Sequence, residues 1–275
     1  MSKVPTITLN NGVEMPRLGF GVWQVPDREA RRAVSTALEA GYRSIDTASA
    51  YGNEKGTGKA LAASGLARED VFVTTKLWND DQGHDSALRA LDTSLAKLRL
   101  EYVDLYLIHW PQPRRDAYTQ TWRAFERIAA EGRARAVGVS NFQPAHLRRL
   151  FETSGLVPAV NQIELHPRLV QAELRALHAE HGIATEAWSP LGQGKGLLDS
   201  PVIGKIAARH GRTPAQVVLR WHLGLGNVVI PKSVTPARIR ENADVFGFEL
   251  DGQDLAELAG LADGARLGPD PDAFG

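Results

Sequence analysis

Four residues of the chain could together move a proton at a carbonyl group. Asp46, Lys76 and His109 each end an apolar run typical of a β-strand, and Tyr51 follows Asp46 by five residues. The tyrosine phenol has an ordinary pKa of about 10, and a neighbouring cation lowers it by favouring the ionised form. Lys76 can supply that cation, Asp46 can orient and balance it, and His109 can hydrogen-bond a substrate oxygen. This set predicts a general acid that protonates an alkoxide as it forms.

Each strand-end residue also has a structural interpretation. Asp46 could cap the next helix, Lys76 could extend into solvent, and His109 could be a turn residue. The catalytic interpretation is favoured because active sites of (β/α)8 barrels lie at the carboxyl ends of the strands, where all three would meet. A carbonyl reduced in this way also needs a hydride donor, which proteins usually obtain from a cofactor.

Later strand ends offer groups that could hold such a cofactor. Ser140, Asn141 and Gln162 can hydrogen-bond a carboxamide. Trp188 can stack on a planar ring, and it ends the seventh β-rich run.

A cationic cluster follows the last β-rich run. Lys232, Ser233 and Arg238 stand at the start of a predicted helix, where backbone N–H groups and cations together favour a phosphate. A phosphate site after the last two strands is also a recurring feature of (β/α)8 barrels.

These residues can meet only if their strands end together, and the sequence contains eight short β-rich runs that alternate with helical segments. Most runs are apolar throughout, as expected for parallel strands covered on both faces. Eight such units in about 250 residues favour a closed (β/α)8 barrel over an open sheet. The predicted strands are Arg17–Gly21, Ser44–Asp46, Val71–Lys76, Val103–His109, Ala134–Ser140, Ala159–Glu164, Ile183–Trp188 and Val228–Pro231.

Helices and flanking segments complete the prediction. Residues 84–98 place leucines at helical spacing, and a Thr-Pro pair predicts the capped start of a helix over 213–223, with an extra helix near Pro201–His210. An Asn-Gly turn between Thr6–Leu9 and Val13–Met15 predicts a β-hairpin that covers the barrel bottom.

The tail, Asp263–Gly275, is rich in Gly, Pro and Asp and is expected to be a surface loop. No linker interrupts the pattern, so residues 1–275 are expected to form one domain.

The composition excludes several classes of protein. Lys plus Arg and Asp plus Glu both number 32, which counts against a nucleic-acid partner. There is no cysteine, which excludes disulfides, thiolate zinc sites and cysteine nucleophiles. His178 and His181 lack a third ligand at a recognised spacing, so no metal is expected. Without a signal-like start or an 18-residue apolar run, we expect a cytoplasmic protein with no membrane partner.

The chain resembles the aldo-keto reductase family, and most closely its bacterial branch of 2,5-diketo-D-gluconate reductases. The resemblance covers nearly the whole chain, from Leu18 to Asn242. Seven ordered motifs carry it: Asp46-Thr47-Ala48 with Tyr51-Gly52-Asn53-Glu54, Thr75-Lys76-Leu77-Trp78, Leu107-Ile108-His109-Trp110-Pro111, Gly138-Val139-Ser140-Asn141-Phe142, Asn161-Gln162-Ile163-Glu164-Leu165-His166-Pro167, Ser189-Pro190-Leu191-Gly192 and Ile230-Pro231-Lys232-Ser233-Val234-Thr235.

The resemblance implies a catalytic tetrad of Asp46, Tyr51, Lys76 and His109, with Tyr51 as proton donor and His109 orienting the carbonyl. It also implies NADPH bound in an extended form without a Rossmann domain. Ser140, Asn141 and Gln162 would hold the nicotinamide amide, and Trp188 would stack on the ring. Ser189, Leu191 and Gln193 would line the pyrophosphate, and Lys232, Ser233 and Arg238 would bind the 2′-phosphate. Glu241 and Asn242 would lie near the adenine, and the remaining cofactor-binding residues would be Gly21, Val234 and Thr235. Trp23, Trp78 and Trp110 would line the substrate pocket.

The sequence also departs from the family pattern. Trp188 stands where many members have tyrosine, and a wider ring should still stack. The loop after the fourth strand and the C-terminal tail are short, which predicts an open pocket and loose specificity.

The resulting hypothesis is an NADPH-dependent reductase of aldehydes and ketones, including dicarbonyls or keto sugars, that acts as a monomer on small substrates. Two alternatives remain: an NADPH-binding redox sensor with little turnover, and an aldolase that forms a Schiff base on Lys76.

Overall fold

Eight parallel strands form a barrel with helices around it in the computed structural model, which describes residues 4–274. An N-terminal hairpin consists of β1 (Thr6–Thr8) and β2 (Glu14–Pro16). The barrel strands are β3 (Phe20–Gly21), β4 (Ser44–Asp46), β5 (Phe72–Leu77), β6 (Val103–Ile108), β7 (Ala134–Ser140), β8 (Val160–Glu164), β9 (Ala184–Trp188) and β10 (Val228–Val229). The α-helices are α1 (Asp27–Glu39), α2 (Glu54–Ala63), α3 (His84–Leu98), α4 (Tyr118–Ala130), α5 (Pro144–Thr153), α6 (Ala172–Glu180), α7 (Pro201–His210), α8 (Pro214–Gly224), α9 (Pro236–Ala243) and α10 (Gly252–Ala259).

The sheet runs from β3 to β10 in sequence order and closes between its first and last strands. Leu18 pairs in parallel with Val229, and the Gly19 N–H donates to the Val229 carbonyl at 2.8 Å. The Val229 N–H donates in turn to the carbonyl of Arg17 at 3.0 Å. This closure confirms the predicted (β/α)8 barrel, although β3 and β10 are shorter than the strands predicted there.

The barrel is filled from inside and covered from outside by apolar side chains. Leu105, Leu107, Val160 and Val228 belong to the interior cluster and are fully buried. Outside, α1 buries residues at helical spacing, as expected for a helix with one face on the sheet. Because both faces are covered, most strands are apolar throughout, which explains why the sequence pattern identified them.

The N-terminal hairpin of β1 and β2 lies against the bottom of the barrel. Ile7 pairs with Met15, and Gly12 adopts a positive φ of 84° in the connecting turn. Met15 is fully buried in the interior cluster, and the Asn11 side chain donates to the Arg135 carbonyl at 2.9 Å. The hairpin therefore plugs the end of the barrel opposite to the strand ends that carry the polar residues.

The two helices between β9 and β10 occupy the segments that the sequence predicted. Thr213 caps α8: its hydroxyl accepts the N–H of Gln216, whose side chain accepts the Thr213 N–H. None of the helices within residues 4–274 is long and apolar enough to cross a bilayer.

Candidate active site

The four residues of the predicted acid–base set meet at the carboxyl ends of the barrel strands. Lys76 Nζ lies 2.6 Å from Asp46 Oδ1 and 3.4 Å from the hydroxyl oxygen of Tyr51, and it also donates to the Thr47 carbonyl at 3.0 Å. Asp46 and Lys76 are both buried, Asp46 in the lining of the cleft and Lys76 beneath it, whereas Tyr51 is half-buried at the cleft floor. The ammonium group therefore joins a carboxylate to a phenol.

A short turn after β4 brings Tyr51 back over the strand ends. Residues Ser49–Tyr51 form one 3-10 turn, which Gly52 ends in the left-handed region at a φ of 67°. The Ser49 hydroxyl donates to the Lys76 carbonyl at 2.9 Å, so the turn is fastened to the end of β5. Asn53 holds the far side by donating to the carbonyl of Val22 at 2.8 Å.

His109 lies beside Tyr51 among aromatic rings. Its ring centroid is 5.6 Å from that of Tyr51 and 5.1 Å from that of Trp78, with both pairs near perpendicular. The Asn141 side chain donates to the His109 carbonyl at 2.9 Å and fixes the backbone at this strand end. The arrangement leaves an imidazole, a phenol and an apolar wall around one space.

The charges in this cluster follow from burial and contact. Burial opposes the charge of Lys76, but Asp46 and Tyr51 outweigh it, and the pKa of the ammonium group stays above its usual range. Burial and the nearby Lys76 charge hold the pKa of His109 well below its ordinary value. His109 is therefore a neutral imidazole, which can hydrogen-bond an oxygen without adding a charge.

The expected lowering of the Tyr51 pKa is not found. Burial raises that pKa more than Lys76 lowers it, and the negative charges of Asp46 and Glu186 add to the increase. The phenol therefore stays protonated across the neutral range. The sequence showed the cation beside Tyr51 but not the burial and the two carboxyl groups that oppose it.

Glu186 is a buried group that sequence reasoning missed. It lies on β9, fully buried, and its Oε2 accepts the side-chain N–H of Gln162 at 2.8 Å. The same amide nitrogen donates to Asp46 Oδ2 at 2.8 Å. The position of a Glu within a β-rich run does not show which side of the sheet its side chain faces, and here Glu186 pairs in register with Gln162 on β8.

A cleft of about 1610 Å³ runs from Tyr51 across the mouth of the barrel to α9. Three residues of the predicted set are not in its lining: Lys76, which is beneath the floor, and Val234 and Thr235. The predicted residues that line it are Gly21, Trp23, Asp46, Tyr51, Trp78, His109, Trp110, Ser140, Asn141, Gln162, Trp188, Ser189, Leu191, Gln193, Lys232, Ser233, Arg238, Glu241 and Asn242.

The lining fits an elongated, negatively charged cofactor. Lys232 and Arg238 are exposed at one end, and neither has a carboxylate within 4 Å among residues 4–274. Gly21 packs closely on the segment after β10, since a Cβ there would lie 3.2 Å from the Ile230 carbonyl oxygen. At the other end, the half-buried Trp188 indole donates to Asn141 Oδ1 at 2.8 Å, which fixes a flat face beside the acid–base cluster.

The C-terminal tail lies at the surface without helix or strand, as the sequence predicted, but it also crosses the mouth of the cleft, which the sequence did not show. The backbone N–H groups of Leu267 and Gly268 donate to the Glu164 carboxylate at 2.5 and 2.9 Å. Burial opposes ionisation of Glu164, but His166 and these two donors outweigh it and hold its pKa below the ordinary range. The anchor is therefore an ionised carboxylate.

The end of the tail completes the aromatic wall. The Phe274 ring centroid lies 4.5 Å from that of Trp110 and 6.5 Å from that of Trp78. The tail thus narrows the pocket that the short loops predicted to be open. Its sequence shows no periodicity, and no local signal assigns Phe274 to the site.

The arrangement gives little support to a metal-dependent reaction or to a Schiff base on Lys76. No group of three or more His, Asp or Glu residues that could hold a metal ion occurs within the described part of the chain. Lys76 is buried, hydrogen-bonded and charged, whereas a Schiff-base lysine must present a neutral amine to its substrate.

The comparison with known protein families agrees with the barrel, the four residues at the strand ends and the elongated cleft. The family model described as aldo/keto reductase family matches residues 17–263, and the chain belongs to that family. This confirms the resemblance predicted from the sequence.

Similar proteins cover the whole length. An aldo-keto reductase of Mycolicibacterium smegmatis is 60% identical over 270 residues, covering 98% of each chain. The methylglyoxal reductase DkgA of Escherichia coli is 54% identical over 276 residues, covering 100% of each. A solved structure of a mutant of Gox0644 in complex with NADPH has a TM-score of 0.95 and 48% identity, covering 100% of each chain.

Proposed function

We propose that this chain reduces small aldehydes and ketones, dicarbonyls and keto sugars among them, to alcohols, with Tyr51 as the proton donor. One observation carries the proposal: the Tyr51 hydroxyl lies 3.4 Å from a buried ammonium group at the floor of the cleft. A phenol in this position can lose a proton to a substrate oxygen while the adjacent cation stabilises the phenolate.

The reaction class follows from the family, whose members are oxidoreductases that use NADP(H). NADPH, when bound, supplies the hydride for the carbonyl carbon. The residues that would hold it are Gly21, Ser140, Asn141, Gln162, Trp188, Ser189, Leu191, Gln193, Lys232, Ser233, Arg238, Glu241 and Asn242, with Val234 and Thr235 beside the cationic end.

The side chains of the tetrad orient the carbonyl group, donate the proton and stabilise the charge that forms. Neutral His109 hydrogen-bonds the carbonyl oxygen and holds it toward Tyr51. As the carbonyl carbon gains a hydride, its oxygen takes the proton of the Tyr51 hydroxyl, which leaves an alcohol and a phenolate. Lys76 stabilises that phenolate, and Asp46 keeps Lys76 protonated and in place.

The aromatic end of the cleft supports a preference for small or flat substrates. Trp23, Trp78 and Trp110 surround the space above Tyr51 and His109, and they offer few groups for hydrogen bonding. A short dicarbonyl fits such a space, and the methylglyoxal reductases among the relatives agree with that choice.

Steady-state reduction tests the proposal directly. NADPH oxidation would be followed with methylglyoxal, an aromatic aldehyde, an aldose and a diketo sugar acid, for the wild type, Tyr51→Phe and Tyr102→Phe. We expect Tyr51→Phe to lose about 10²- to 10⁴-fold in kcat, as expected when a general acid is removed. Tyr102, which packs under Arg68 away from the cleft, serves as the matched control.

The outcomes separate this proposal from its alternatives. Turnover that survives in Tyr51→Phe would contradict the assignment of the proton donor. Tight NADPH binding with no turnover of any substrate would favour the redox sensor, and substrate trapped on Lys76 by borohydride would favour the aldolase.

The proposal also includes a monomeric state and a location in the cytoplasm, and the absence of cysteine agrees with a reducing compartment. Size-exclusion chromatography tests the monomeric state.

A further inference from the structure

The acid–base cluster contains one carboxyl group more than the tetrad uses. Glu186 is 0% exposed, lies beneath the cleft floor and reaches Asp46 only through the side-chain amide of Gln162. Its second oxygen, Oε1, is buried and has no hydrogen-bond partner within residues 4–274. A buried carboxyl group with a single amide donor is poorly solvated as an anion.

The charges around Glu186 can be counted. The titratable groups that face it are Asp46 on β4, Tyr51 on the turn after β4 and Lys76 on β5. Its partner on β10 in the strand register is Val228, and on β8 it is Gln162, neither of which titrates. Lys76 already neutralises Asp46 at 2.6 Å. Ionised Glu186 would therefore leave the cluster with an uncompensated negative charge in a low-dielectric site.

From this geometry we propose that Glu186 is a positioning residue: as a neutral acid it holds Gln162 and Asp46 in place and keeps the Tyr51–Lys76 pair free of excess negative charge. The inference rests on the proposed function of Tyr51. Gln162 donates one N–H to each carboxyl group, which turns its amide carbonyl away from both of them. The same contact therefore orients a residue proposed to hold the nicotinamide amide.

A pH dependence follows from this arrangement. Burial and the Asp46 charge raise the pKa of Glu186 to about 8. Above that pH, ionised Glu186 makes the phenolate of Tyr51 harder to form, so proton donation slows. The pKa values of Tyr51 and Lys76 lie above their ordinary values near 10, so neither group titrates between about pH 7 and pH 9.5.

The experiment compares wild type, Glu186→Gln and Glu180→Gln in the full-length chain. Glutamine keeps the volume of Glu186 and can accept the Gln162 N–H, but it cannot ionise. Glu180 is exposed on α6 and controls for loss of a carboxylate elsewhere. For the wild type we expect kcat/KM for reduction to fall about three- to tenfold from about pH 7 to pH 9.5, since one unit of pKa is a tenfold change in acidity. The Glu186→Gln profile should stay flat over this range, and the Glu180→Gln profile should follow the wild type.

Infrared difference spectra between the same two pH values give a readout that does not depend on activity. The wild type and Glu180→Gln should show the C=O band of a protonated carboxylic acid that disappears with a midpoint near pH 8, and Glu186→Gln should lack it. A wild type without this band, or a Glu186→Gln profile that declines like the wild type, would overturn the inference. A chain that turns over no carbonyl would contradict the proposed function instead, and the band would still decide whether Glu186 is the neutral member of the cluster.

Discussion

Lys76 carries a buried positive charge between the carboxylate of Asp46 and the carbonyl oxygen of Thr47. Both acceptors lie at the carboxyl end of β4, so the ammonium group can move little. The third group that it contacts is the Tyr51 hydroxyl. This geometry supports the proposed role of Tyr51 as a proton donor despite its raised pKa. In the proposed reaction the cation would lie where the phenolate charge develops, so its stabilisation would grow as the proton leaves.

A second group of charges, at the far end of the cleft, should decide the choice of cofactor. We expect Arg238→Ala to raise the dissociation constant for NADPH by about 10- to 150-fold, because one charge-assisted hydrogen bond contributes about 1.5–3 kcal/mol. NADH lacks the 2′-phosphate, so its affinity should change little. Isothermal titration with both cofactors measures the two effects.

Arg240→Ala is the matched control, since Arg240 is exposed on the same helix but does not line the cleft. An equal loss of affinity for NADPH and NADH in Arg238→Ala would contradict the assignment of Arg238 to the 2′-phosphate.

The C-terminal tail lies along the cleft because several contacts hold it in place. Glu164 holds Leu267 and Gly268, and His146 Nε2 lies 3.3 Å from Asp272 Oδ1. Gly268 is required for close packing, since a Cβ there would lie 2.5 Å from the Trp188 ring. An irregular segment thereby gains a defined position without forming a helix or strand.

Removal of the Phe274 ring should widen the aromatic end of the pocket. We expect Phe274→Ala to lower kcat/KM for an aromatic aldehyde by about 2- to 12-fold, the equivalent of one aromatic contact of about 0.5–1.5 kcal/mol. Methylglyoxal, which is too small to reach this wall, should be affected less. Phe248→Ala, a half-buried phenylalanine that packs on Arg212 outside the cleft, controls for general loss of stability. Equal losses for both substrates would argue against a wall at Phe274.

The packing of helices on the barrel buries histidines that have no part in the site. His178 of α6 accepts the Asn161 side-chain N–H at its Nε2 and donates from Nδ1 to the Thr185 hydroxyl. Burial lowers its pKa to about 3, and burial likewise lowers the pKa of His222 on α8 to about 3. Both imidazoles are therefore neutral in the folded chain near pH 7.

Acid should destabilise the whole fold through these two residues. The unfolded chain binds their protons below about pH 6.5, whereas the folded chain does not until about pH 3. Their contribution is therefore complete above pH 6.5 and is lost as pH falls toward 3, by up to about 1.4 kcal/mol per pH unit for each histidine.

Urea unfolding at a series of pH values measures this slope. His178→Gln should reduce the slope, because the replacement side chain cannot bind that proton. An unchanged slope in His178→Gln would show that the acid sensitivity has another origin.

The sequence by itself determined the order of strands and helices, the closing hairpin, and which strand ends carry Asp46, Lys76 and His109. These features depend on local patterns: apolar runs covered on both faces, capping pairs, an Asn-Gly turn, and motifs that are contiguous in the chain. Because parallel strands in a barrel end at one edge, the local pattern also predicted that the polar residues at these strand ends meet in one cleft. The other predicted lining residues came from the family resemblance.

The tertiary structure decided what depends on contacts between distant residues. Gln162 and Asp46 are 116 residues apart, and Leu267 and Glu164 are 103 apart, so no local signal predicts either pair. The direction of the Tyr51 pKa shift also depends on distant residues. The sequence placed Lys76 at a strand end near Tyr51, but it did not show the burial of Tyr51 or the presence of Glu186. Long-range packing determines the dielectric and the charge count at the site, and these quantities have no signature in a short stretch of sequence.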